Sequence, residues 1–167
     1  MLYLKEANTE DIEKEYEFVT SLPENENGFE NNNHGCSRED FENKVLPNYI
    51  NYSKGINLKE GHVPQTTLFL WKDDTIVGMF KLRHFLCEAL AVGAGHIGYG
   101  IKAEYRGKGY ATEGLRLTLE KAREIVKEDE IYMSVRKSNP ASLRVQLKNG
   151  AYIHHGDEEK FYTRIKK

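Results

Sequence analysis

The run Tyr105-Arg106-Gly107-Lys108-Gly109-Tyr110-Ala111-Thr112 is short, basic and rich in glycine, and it stands directly before a helical pattern. Leu115, Leu119, Ala122, Ile125 and Val126 recur at helical spacing behind it, which predicts an amphipathic helix of about five turns. A glycine-rich loop at a helix N-terminus is a phosphate cradle. Gly107 and Gly109 remove Cβ atoms where backbone must come close, Arg106 and Lys108 add positive charge, and the first helical N–H groups point outward without intrahelical partners. A pyrophosphate suits that description.

Working outward, Ile131 to Val135 reads as a strand, Ser138-Asn139-Pro140 as a turn, and Ala141 to Lys148 as a short helix stopped at Asn149-Gly150. On the other side, Gly95 to Lys102 reads as the strand feeding the loop. Thr66 to Trp71 and Thr75 to His84 form a hairpin turned at Lys72-Asp73-Asp74, and Ala151 to His155 with Lys160 to Ile165 form a last one. Met1 to Ala7 alternates as an edge strand. Asn8 to Asp11 then starts a helix that carries Ile12, Tyr16 and Val19 and ends near Leu22-Pro23. Glu24 to Gly35, dense in Asn, Glu and Gly, reads as a mobile loop. Ser37-Arg38-Glu39-Asp40 caps a second helix with Phe41, Val45 and Leu46, which Pro47 interrupts or ends.

Strand, glycine-rich loop, helix, strand, Asn-bearing loop and short helix, in that order, resemble the GCN5-related N-acetyltransferase family. The family's pyrophosphate motif, Arg/Gln-x-x-Gly-x-Gly/Ala, is matched by Arg106, Gly109 and Ala111, and its second element by Asn139, Ser142 and Lys148-Asn149-Gly150. The resemblance is firm from about Thr66 to Gly150. It implies an α+β fold in one domain, residues 1–167, with a mixed, mostly antiparallel sheet of six to seven strands flanked by about four helices. A splayed strand pair would hold the cofactor. It implies acetyl-CoA as co-substrate, bound by Tyr99, Gly100 and Ile101 along the pantetheine, by Arg106, Gly107, Lys108, Gly109, Tyr110, Ala111 and Thr112 at the pyrophosphate, and by Asn139 and Ser142. Many members place a Tyr seven residues after the Asn as acid for the leaving thiolate. Gln146 stands there instead, and an amide cannot serve. With Ala141-Ser142, the pattern resembles the ribosomal-protein-alanine acetyltransferase branch.

Composition narrows the alternatives. A net charge of −2 over 167 residues argues against a nucleic-acid binder, and no run approaches a membrane span or a signal sequence, so a cytoplasmic protein is expected. Two cysteines, Cys36 and Cys87, make no disulfide framework, and Cys87 reads as inert packing. No metal site is expected. Gly93-Ala94-Gly95-His96-Ile97-Gly98 spells a dinucleotide fingerprint after Ala89 to Val92, but it leads into β-like residues rather than a helix, which disfavours a nicotinamide-dependent oxidoreductase. A non-catalytic acyl-CoA-binding module is the other alternative, and a homodimer is a possible assembly.

Acetyl transfer needs a base for the ammonium and a proton for the thiolate. His96, on the strand leading to the loop and with a pKa near neutrality, is the first candidate base; Glu88 and His84 follow. Ser142 is the candidate proton donor, with Tyr152 and Tyr162 as other hydroxyls. Glu24 to Gly35 and Asn51 to Gln65 are expected to shape the acceptor side, where Glu24, Glu26 and Glu30 would attract a cationic amine. The resemblance implies a small-molecule or peptide amine as acceptor, with protein N-terminus, polyamine, amino acid and aminoglycoside all open.

Overall fold

The computed structural model describes all residues, Met1–Lys167. Strand β1 (Leu2–Glu6) pairs antiparallel with β4 (Gln65–Lys72), which turns into β5 (Thr75–Arg83), and β5 pairs antiparallel with β6 (Ile97–Ile101). A second antiparallel group follows in which β9 (Lys160–Lys166) inserts between β7 (Glu130–Arg136) and β8 (Tyr152–Gly156). One bridge, Gly95 to Met133, joins the two groups. Beyond it β6 and β7 have no ladder. The sheet therefore opens as a V, the splayed pair the resemblance implied, with seven strands in its two arms within an α+β fold.

The strands β4 and β5 read as apolar on both faces because both faces are covered. Leu68, Leu70, Val77, Phe80 and Leu82 pack with Leu115, Leu119 and Ala122 of α5 (Tyr110–Ile125). The alternate residues Phe69, Trp71, Ile76 and Met79 pack with Phe18 and Val19 of α1 (Ile12–Ser21) and with Leu46. The two-residue period of a strand sorts these side chains onto the two faces, with a β-bulge opposite Leu70 and Trp71 shifting the parity between Val77 and Met79. Each fully buried Phe or Leu contributes about 1.5–3 kcal/mol of transfer free energy. α5 reaches the sheet at Gly114, where an added Cβ would stand 2.5 Å from Phe80 Cζ and 2.9 Å from Leu70 Cδ2. A glycine is required at that crossing.

Two expectations are corrected here. Ser37 caps the second helix, its Oγ accepting from Asp40 N–H at 3.0 Å, but Pro47 does not end it. α2 (Arg38–Asp40) runs through a π-helical turn, Phe41–Val45, into α3 (Leu46–Ser53), with the Leu46 N–H reaching back to the Phe41 carbonyl. The widened turn clears room for the proline ring, and Pro47, at the start of α3, lacks an N–H the helix does not need there. Glu24 to Gly35 is likewise no plain loop: β2 (Asn25–Glu26) and β3 (Phe29–Glu30) pair as a small hairpin. Asn31, buried behind it, donates from Nδ2 to the Val19 carbonyl at 2.7 Å, pinning the segment to the end of α1.

α4 (Glu88–Val92) is a single short turn of helix before Gly93, and α6 (Pro140–Lys148) follows β7. Pro140 opens α6, with Asn139 as its cap, its Oδ1 accepting from Ser142 N–H at 3.3 Å. The Gly93 to Gly98 run joins α4 to β6 and opens no helix, so the fingerprint reading lacks its structural context.

Candidate active site

A cavity of about 980 Å³ follows the V between β6 and β7, from the N-terminus of α5 to the hairpin and the end of α3. At one mouth the chain leaves β6, makes a single 3-10 turn over Ala103–Tyr105, and enters α5 through Gly107 (φ +74°) and Gly109 (φ +79°). Gly109 caps α5 in the left-handed region without any side-chain cap, and a Cβ at either glycine would meet nothing within 4 Å. None of the backbone amides from Gly107 to Thr112 donates to a group in the protein. They form an open nest of N–H groups at the positive end of a sixteen-residue helix. Arg136, Arg144, Lys148 and Lys160 add cations to the cavity wall.

The side chains of the loop divide. Arg106 does not project freely: Nε donates to the Ile101 carbonyl at 2.9 Å and Nη1 pairs with Glu26 at 2.6 Å, so it braces the loop against β6 and the hairpin. That contact holds the Glu26 carboxylate below its usual range. Lys108 is exposed, with its ammonium 5.7 Å from the Tyr105 ring centroid, and does not line the cavity. The loop's contribution to an anion is thus its main chain.

Along the V, antiparallel alternation turns the N–H and C=O of every second β6 residue away from β5. The Ile101 carbonyl serves Arg106, which puts Tyr99 and Ile97 in the same outward-facing set. The side chain of Tyr99 lies on the α5 face, stacked on Phe80 at 5.3 Å, and its hydroxyl meets Ser142 Oγ at 2.7 Å. Burial pushes that phenol above its usual value. Gln146, which occupies the family's tyrosine position, is buried; its Oε1 accepts from Thr163 Oγ1 at 2.6 Å. Tyr99, Asn139, Ser142 and Gln146 all line the cavity. Sequence reasoning missed the Tyr99–Ser142 pair because the partners are 43 residues apart.

His96 is placed elsewhere. It is fully buried at the apex of the V; Tyr132 N–H donates to Nδ1 at 2.8 Å, which leaves Nε2 to donate to Glu128 Oε2 at 3.0 Å. Glu128 in turn accepts from Leu86 N–H at 2.6 Å. Burial lowers the pKa of His96, and it does not line the cavity. With its one lone pair occupied, this imidazole has no means to take a proton from an amine. The expectation of a catalytic base is corrected to a clamp on the strand junction. Glu88 is exposed at the start of α4 without a partner and off the cavity wall, so it too is set aside. His84 is bonded to Thr66 Oγ1 at 2.8 Å, Tyr152 to Glu130 and Tyr162 to Asp157, all away from the cavity. Cys87 lines the cavity instead of packing in the core.

At the other mouth, the hairpin and the end of α3 close over β6. Phe29 covers Gly100, and Tyr52, His62 and Gln65 stand opposite. Of the three acids expected to draw in a cationic amine, Glu26 is spent on Arg106, while Glu24 and Glu30 are exposed.

With this geometry the comparisons agree. The sequence model described as "Acetyltransferase (GNAT) domain" matches residues 2–152. The chain belongs to the GNAT acetyltransferase family. No curated protein matches this sequence. Among solved structures, a probable acetyltransferase superposes with a TM-score of 0.72 at 19% identity, covering 99% of this chain and 93% of that one. An aminoglycoside acetyltransferase in complex with coenzyme A gives 0.64 at 16%, covering 100% and 95%. The ribosomal-protein-S5-alanine acetyltransferase from Vibrio fischeri gives 0.64 at 15%, covering 99% and 92%. The last is one neighbour among several, so the fold does not single out the ribosomal-protein-alanine branch. No helix is long and apolar enough to cross a membrane.

Proposed function

We propose that the protein moves the acetyl group of acetyl-CoA to a primary amine. The observation that carries this reading is the nest of unpartnered amides from Gly107 to Thr112 opening onto a V-shaped slot between β6 and β7. The nest suits a pyrophosphate, and the outward-facing main chain of β6 suits the amides of a pantetheine arm laid along it. Gly107 and Gly109 fit as well, since a side chain there would fill the space phosphate oxygens need. A main-chain N–H near Ile101 would polarise the thioester carbonyl.

For the thiolate, the hydroxyl pair of Ser142 and Tyr99 replaces the tyrosine that Gln146 displaces. Ser142 Oγ faces the cavity and can pass a proton while Tyr99 restores it across their 2.7 Å bond. Deprotonation of the ammonium falls to water in the cleft, because His96 and Glu88 are out of position. Thiol release from acetyl-CoA, measured across a panel of amines with mass spectrometry of the products, tests the reading. Acetylated amine formed in step with free thiol is expected; binding without turnover of any amine would favour an acyl-CoA-binding module.

A further inference from the structure

The acceptor end of the cavity holds two cations without counter-ions. Lys81 and Arg83 are two residues apart on β5, on the face that carries Met79 toward α1 and α3, and so opposite the face that packs on α5. Both line the cavity and both are half-buried. Lys81 Nζ donates to the Glu30 carbonyl at 2.7 Å, and Arg83 Nη1 to the Gly95 carbonyl at 3.2 Å. Neither pairs with a carboxylate; the acid that acts on Lys81, Glu30, is exposed and beyond ion-pair distance. Lys81 Nζ also lies 4.8 Å from the centroid of the Phe29 ring, and burial and the charge of Arg83 push the ammonium down to about 8, so these neutral partners leave its charge uncompensated.

Beside them β6 presents no side chain. Gly98 is the β6 residue registered against Lys81, and a Cβ there would meet nothing within 4 Å. Two partly desolvated cations over a bare floor cost free energy unless an anion completes them. They are separated from the phosphate nest by the length of β6 and lie on the other face of the sheet, so the phosphates of a CoA ligand cannot account for them. Polyamines and aminoglycosides would bring more positive charge to this place.

We propose that the acceptor is an amine that also bears an anionic group, a carboxylate or a phosphate, which Lys81 and Arg83 hold over Gly98. This rests on the N-acetyltransferase reading above. Anchored there, the neutral amine nitrogen attacks the thioester carbon; the C–N bond forms as the C–S bond breaks. Of the two protons the ammonium gives up, one is released to solvent and the other is balanced by the proton gained on sulfur.

The test uses acetyl-CoA-saturated protein with β-alanine, O-phosphoethanolamine, ethanolamine, spermidine and kanamycin, by initial rates of thiol release and by calorimetric titration of the CoA complex. We expect β-alanine or O-phosphoethanolamine to exceed the others in kcat/KM, and whichever wins identifies the anion. Arg83→Gln and Lys81→Met should each raise KM by roughly tenfold to a hundredfold, the effect of losing a hydrogen bond to a charged group, with acetyl-CoA affinity unchanged. Arg83 also braces the Gly95 carbonyl, so Lys81→Met keeps the test open if the other variant fails to fold. Preference for spermidine, kanamycin or ethanolamine, unchanged KM in a folded variant, or no binding of either anionic amine to the CoA complex overturns the proposal. Turnover of a cationic amine would do so while leaving the N-acetyltransferase reading intact. Failure to bind acetyl-CoA at all would instead remove the reading beneath it.

Discussion

Replacing His96 probes whether this residue clamps the strand junction or serves catalysis. The imidazole is fully buried and both nitrogens are bonded. His96→Ala would leave the Tyr132 N–H without an acceptor, which costs about 1–3 kcal/mol, and would open a cavity of several heavy atoms worth a further 1–2 kcal/mol or more. Loss of the Glu128 contact adds less, because that side chain retains 30% exposure and can be rehydrated. Together the loss should be roughly 3–4 kcal/mol. His96→Asn places an amide oxygen near Nδ1 and restores the acceptor for Tyr132, whereas His96→Gln places an amide N–H near Nε2 and restores only the donor to Glu128. Asn should therefore recover more stability than Gln. Urea unfolding of the three variants measures this directly. Three variants within 0.5 kcal/mol of the natural protein, a spread typical of surface sites, would refute the clamp.

Glu15 is buried on α1 with Oε1 held by the Asn8 N–H at 2.9 Å and Oε2 unpartnered, and burial raises its pKa to about 8. A carboxyl raised in the folded state contributes stability that is fully present below its unfolded value near 4.5 and is lost as pH rises toward and through about 8; by 1.36 kcal/mol per unit, that is roughly 2–5 kcal/mol. Glu15→Gln should accordingly flatten the melting temperature between pH 5 and 9, and an unaltered pH slope would contradict this. Gly114→Ala gains about 1 kcal/mol of helix propensity but pushes a methyl against Phe80 and Leu70, so we expect a net loss of about 1–3 kcal/mol in urea unfolding; equal or higher stability would show that α5 can shift.

Much of the fold was legible because period-two and helical patterns agreed with local punctuation along the chain. The Asn139-Pro140 cap, the Lys72 to Asp74 turn and the glycines before Tyr110 stand where their chemistry requires. The hairpin at Asn25–Glu30 was not legible: its composition is that of a loop, and what orders it is tertiary, namely Asn31 on α1, Phe29 over Gly100, and Glu26 on Arg106. At Pro47 the regular helix is interrupted by a π turn, as expected, but it does not end there, and a π turn is set by its surroundings, so no local signature shows that the helix resumes. In the site, the main-chain nest followed from Gly107 and Gly109, whereas His96 was misplaced because its position on a strand does not say whether the ring meets the cleft or the neighbouring strand. Lys81 and Arg83 did carry a signal, two cations at the same parity in an otherwise apolar strand, which the acidic loop residues obscured.

The claim at the centre is that the main chain around Gly109 holds a pyrophosphate, and calorimetric titration of the natural protein and Gly109→Asp with acetyl-CoA and with NAD tests it most directly. The substitution sits in open space, where Asp tolerates the left-handed backbone, so the variant should remain folded by circular dichroism while setting a carboxylate among the amides. We expect acetyl-CoA, and not NAD, to bind the natural protein, and neither to bind the variant. Undiminished acetyl-CoA affinity in a folded Gly109→Asp protein, or binding of NAD in its place, would contradict the phosphate nest.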